Sequence, residues 1–171
     1  MATTYTLISS NVLSSSAASV TFSAIPSTYT DLVLRWSARL DTTSSEVDLR
    51  FNSDSATNYS STRIVGNGAT ASSLRISSAN NHRFYESANY STDTANTFNS
   101  MEIYIPSYTV SQNKPFSSFV GTETNATTAY LVAQANLWSN TAAITSIVLD
   151  PISSANFVAG SSFYLYGIKN S

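Results

Sequence analysis

The chain has 171 residues, 42% hydrophobic and only 11% charged, with a formal net charge of −2 and no cysteine. Its eight Lys and Arg are scattered, which argues against a nucleic-acid partner. The missing cysteines exclude disulfides and thiolate metal sites, and no apolar run is long enough to predict membrane insertion.

A chain of this length is expected to form one domain, residues 1–171, that buries about 70% of its unfolded surface. The absent charges are replaced by 33 Ser and 21 Thr, while 10 Tyr, 8 Phe and 2 Trp can build a core. The N-terminus, MATTYTLISSNVL, lacks the basic region and long apolar core of a signal peptide. Folding in the cytosol where the chain is made is the expectation.

Thr3–Ser9 alternates weakly and reads as a first strand, and Ala18–Ser23 as a short second one carrying Val20 and Phe22. Pro26 holds Ile25 extended and opens a turn. The strongest signal follows in Asp31–Asn52. There Leu32, Leu34, Trp36 and Ala38 alternate with Val33, Arg35, Ser37 and Arg39. After the polar stretch Asp41–Ser45, Val47, Leu49 and Phe51 alternate with Glu46, Asp48 and Arg50. A period of two means half-buried strands, and the short polar connection predicts an antiparallel hairpin. On its wet face Arg35 and Arg39 are expected to meet Glu46 and Asp48 across the strands.

Tyr59–Val65 and Ser72–Ser77 read as strands around Gly66-Asn67-Gly68, a turn signal because Asn and Gly tolerate positive φ. Residues 78–100 then mix aromatics with Asn, Ser and Thr over a length that is seldom structureless without a function. Within it His82–Glu86 can form a strand. His82, Phe84, Tyr85 and Tyr90 have the chemistry to stack on sugar rings. The plainer reading is that Phe84 and Tyr85 straddle a strand and plug one end of a sandwich.

Ser100–Pro106 places Met101, Ile103 and Ile105 inward, and Pro115–Thr122 carries Phe116, Phe119 and Val120. Thr127–Trp138 has Ala129, Leu131, Ala133, Ala135 and Leu137 on one side and Tyr130, Val132, Gln134, Asn136 and Trp138 on the other. The small residues of the first side suggest close packing, against a second sheet or a neighbouring subunit. Ala143–Leu149 and Ser161–Lys169 close the chain, the latter with Phe163 and Leu165 opposing Tyr164 and Tyr166. Trp138, Tyr164 and Tyr166 are the candidate anchors of an interface.

Nine or ten short, evenly spaced strands with no helical periodicity predict an all-β, antiparallel two-sheet sandwich, jelly-roll-like. No catalytic arrangement emerges. His82 is the sole histidine and lacks ligand-type neighbours, and no nucleophile elbow is present. No cofactor, metal or catalytic residue is expected.

MATTYTLISS, IPSTYTDLVL, FNSDSATNYS (residues 51–60), ANTFNSMEIYIP (95–106), LWSNTAAITSIVL (137–149) and the ending FYLYGIKNS occur in this order. Together they resemble small virion structural proteins of tailed phages, including those of cyanobacteria. The resemblance implies a non-enzymatic β-sandwich that folds in the host cytoplasm and ends in the virion. The resemblance leaves the place in the particle open. Taken with the small size, the lack of a catalytic arrangement and the apolar residues on both faces of Thr127–Trp138, the expectation is a capsid decoration (cement) protein binding between subunits of the major capsid protein, self-associated as a homotrimer. The alternative is a tail protein, a fibre or receptor-binding module that binds carbohydrate. Residues 78–94 follow the family pattern least.

Overall fold

The computed structural model describes residues 4–125 and 129–169. Thr3, at the head of the first expected strand, Thr127 and Thr128, at the head of the longest, and the last two residues of the closing motif lie outside the described residues. Twelve strands and no helix account for the regular structure among them.

The strands form an eight-stranded and a four-stranded sheet. The larger begins at one edge with β1 (Tyr5–Val12), followed by β12 (Ser162–Ile168), β3 (Asp31–Ser37) and β8 (Ser100–Ile105), side by side in that order. The smaller is β2 (Val20–Phe22), β11 (Ile147–Pro151), β4 (Val47–Phe51) and β7 (His82–Phe84). The first strand therefore neighbours the last, the second neighbours the last but one, and the chain crosses repeatedly between layers, as in a jelly roll. Beyond β8 the large sheet continues through β9 (Lys114–Thr122), β10 (Tyr130–Trp138), β5 (Tyr59–Gly66) and β6 (Ala71–Ala79). Every strand ladder is antiparallel.

The alternation of Asp31–Asn52 is realised as facing but not as pairing. β3 is hydrogen-bonded to β12 and β8, and β4 to β11 and β7, so the two strands belong to different sheets. Leu32, Leu34 and Trp36 look across the sandwich at Val47, Leu49 and Phe51, all at most 3% exposed. The connection arches between layers because Ala38 and Leu40 are themselves buried, and Leu40 bridges Phe157 instead of turning back toward β3. The expected ion pairs are replaced accordingly. Arg35 pairs with Glu102 at 2.6 Å, while Asp48 and Glu46 take Arg83.

One core runs between the sheets. Phe51 meets the edge of Phe116 with ring centroids 5.2 Å apart and lies 5.4 Å from Trp138; Trp36 meets Phe84 at 5.7 Å. The β5–β6 turn forms where expected. Gly68 takes φ 82°, and the Asn67 side-chain oxygen accepts hydrogen bonds from the backbone N–H of Thr70 (2.7 Å) and Ala69 (3.1 Å), a local cap that Asn provides readily.

Candidate functional site

Strands β9 and β10 decide which side of the large sheet is free. Val132, Gln134, Asn136 and Trp138 point into the sandwich, while Leu131, Ala133 and Ala135 point away from it. The small-residue side of β10 thus does not pack on the second sheet; it floors an open face. Trp138 is correspondingly removed from the candidate interface. It is 1% exposed, with its Nε1 donating to Asp54 Oδ2 at 2.8 Å and its ring stacked on Tyr59. Tyr164 and Tyr166 do lie on the outer face, stacked on one another and half-buried.

The outer face is apolar to an unusual degree. Tyr5, Leu7, Val12, Ile64, Tyr104, Phe119 and Leu131 are each between 38% and 62% exposed there. Among the described residues, the remaining large exposed hydrophobics elsewhere are Leu74 and Val110. Cross-strand register places Tyr164, Arg35, Glu102, Phe119, Ala133 and Ile64 in one row across six strands. Its central ion pair is satisfied within the face: Arg35 donates to Glu102, and its guanidinium also lies 5.7 Å and 5.9 Å from the ring centroids of Tyr5 and Tyr166. The neighbouring row, Tyr166, Val33, Tyr104, Ser117, Ala135 and Thr62, carries no charge. Tyr104 donates to Asp31 at 2.9 Å, and that bond, with burial, pushes its hydroxyl pKa up.

The face is not flat. Beside Phe119, a hollow of about 570 Å³ is floored by Gly66 and Gly121 and walled by Thr122, Glu123, Tyr130 and Leu131. A second, of about 280 Å³, lies over Ser117 and Ala135 between Tyr104 and Pro115.

The stretch singled out for glycan contact is built into the fold. His82 and Phe84 are 2% and 0% exposed because β7 alternates them inward, with Arg83 outward on Asp48. The His82 ring packs on Phe84 and Phe116, and burial alone lowers its pKa to about 3. Neither residue is placed to stack on a sugar, which corrects the surface reading for both. Tyr85 and Tyr90 are partly exposed, Tyr85 beneath the Arg63 guanidinium at 4.2 Å and edge-on to Tyr130.

The rest of the loop is tethered. Ser87 C=O accepts from Trp36 Nε1 and from Asn99 Nδ2, both at 2.7 Å. Arg39 donates to the carbonyls of Thr94 (2.9 Å), Asp93 (3.0 Å), Thr97 (3.2 Å) and Ser91 (3.3 Å). A guanidinium presents five donors in a rigid fork, so one side chain can gather this many carbonyls.

Sequence reasoning missed several buried polar residues. Glu86 is 6% exposed, at φ 51°, with Oε2 lacking a partner; burial raises its pKa against hydrogen bonds from Ser45 and Tyr85. Lys114 is fully buried with its ammonium on the carbonyls of Val110 (2.7 Å) and Gln112, a structural clamp on the β8–β9 connection. Gln134 and Asn136 read as surface residues but sit inside. Their only sequence signal is the parity they share with Val132 and Trp138. Among the described residues no three His, Asp or Glu side chains come together as a metal site.

No protein-family model and no curated protein matches this chain. Among solved structures, the galectin LEC-6 of Caenorhabditis elegans is similar over 98% of this chain and 96% of its own. The identity is 11% and the TM-score 0.37, a level at which nothing about ligand or role is carried across.

Proposed function

We propose that this chain is a bacteriophage virion structural protein, a capsid decoration (cement) protein that stabilises the head by binding between capsid subunits. It acts by contact rather than catalysis. The sequence resemblance motivates the virion role. The observation that carries it further is the outer face of the large sheet, where exposed aromatic and aliphatic side chains surround a single, internally satisfied ion pair. Monomeric proteins rarely expose apolar surface in one contiguous patch of this kind, and such patches mark interaction sites. Aromatic residues are also the usual anchors of protein interfaces. Of the four side chains behind the tail-module alternative, His82 and Phe84 lie in the core, while Tyr85 and Tyr90 are partly exposed.

Immunogold labelling of intact particles tests the role. Gold distributed over the heads is expected. Gold confined to the tail tip, or particles without label, would remove the decoration role.

A further inference from the structure

We infer that the outer face of the large sheet is occupied by a second copy of this chain, related by a two-fold axis, with Phe119 of each protomer entering the glycine-floored hollow of the other. This rests on the reading of that face as a packing surface and names its partner.

The relief of the face is complementary to itself. Phe119 stands out 52% exposed at the middle of the sheet, and the hollow begins only two residues further along β9, at Gly121. Leu131 pairs in register with both Gly121 and Gly66, so the two glycines flank it on the adjoining strands. A projection and a recess side by side on one surface are what an isologous contact needs, because each copy then supplies both halves.

The glycines are not required by the backbone. Among the described glycines only Gly68 and Gly160 have positive φ. A Cβ placed on Gly66 or Gly121 would meet nothing within 4 Å. What their missing side chains supply is depth on the outer face.

Charge and size agree with this occupant. A strongly charged partner would find little to pair with: Arg35 and Glu102 are spent on one another, Arg75 lies on the edge strand β6, and the charge at the hollow is one carboxylate, Glu123, whose Oε1 accepts from Asn125 N–H. With so few charges on the face, two copies meet with little repulsion. Eight strands spaced about 4.8 Å apart and about 20 Å long present about 700 Å², close to the roughly 800 Å² per partner of a standard stable interface.

The test is the solution mass of the purified full chain by sedimentation equilibrium at about 10 μM, a concentration at which an interface of this class is occupied. A mass twice 18.4 kDa is expected for the wild type. Phe119→Glu removes the projection and Gly121→Trp fills the recess. Each should give a monomer that keeps the wild-type circular dichroism and cooperative unfolding. Val148→Glu, on the outer face of the small sheet, should remain dimeric. A monomeric or trimeric wild type would overturn the inference, as would dimers that survive both substitutions. If the wild type is monomeric yet the heads still label, the face belongs to a capsid subunit: the two-fold pairing falls and the decoration role stands.

Discussion

The two outer faces of this sandwich are made of the same kind of strand and have opposite characters. On the small sheet, register lines up Asp150 with Asp48 and Asp48 with Arg83. Arg50 pairs with Asp150 at 3.1 Å and Arg83 with Asp48 at 2.8 Å, with Glu46 at 4.0 Å. Such a face is kept in water by its charges. The large sheet offers Tyr5, Leu7, Phe119, Leu131 and Ile64 around one ion pair. In a chain only 11% charged, concentrating charge on one face leaves the other free to associate, and that asymmetry orients the molecule.

The contrast can be broken or sharpened by substitution. Trp36→Ala strikes the layer that both faces share. Loss of a 3% exposed indole and of its bond to Ser87 C=O should cost about 3–5 kcal/mol in chemical denaturation. A variant as stable as wild type would mean that the inward side is assigned wrongly.

Acid comes next. The His82 pKa is lowered from 6.5 to about 3 by burial, so between those values the unfolded chain binds a proton that the folded chain does not. His82 therefore contributes stability that is complete above pH 6.5 and is lost as pH falls toward 3. His82→Leu should flatten that part of a pH–stability profile; an unchanged slope would place the imidazole in contact with solvent.

Smaller is Asp48→Ala, which strips Arg83 of its carboxylate on the charged face. With Asp48 10% and Arg83 41% exposed, a loss of about 1–2 kcal/mol is expected in thermal unfolding. Arg35→Ala should stay within about 1 kcal/mol, since Arg35 and Glu102 are both about half exposed (48% and 49%). If Arg35→Ala proved the more damaging of these two, the ion pair of the large sheet would be structural and the contrast between faces would collapse.

Much of this was legible in the sequence, and the failures have particular causes. Period two gave the inward residues of Asp31–Asn52 because facing depends only on strand parity. It could not give the partners, because pairing was decided by Ala38 and Leu40, whose burial carries the chain to the other sheet. On β10 both sides are rich in apolar or small residues, so alternation separated two sets without saying which was inside. Gln134 and Asn136, polar yet buried, make their side look like the outer one, and Trp138 on that side then reads as an interface residue. The glycan reading of His82 and Phe84 fails for the converse reason, and Phe84 plugs the sandwich instead. Their polar surroundings suggested a surface loop, although the inward parity of His82 and Phe84 about Arg83 was already present in the sequence.

The decisive property is which face of the sandwich is covered when the protein does its work. A reconstruction of the intact particle at a resolution that traces strands measures this directly. Density on the head should show the eight-stranded sheet buried by a neighbouring chain around Phe119 and Leu131, with the Asp48–Arg83 face toward solvent. The reverse orientation, with Phe119 and Leu131 in solvent and the charged face against the particle, would contradict it.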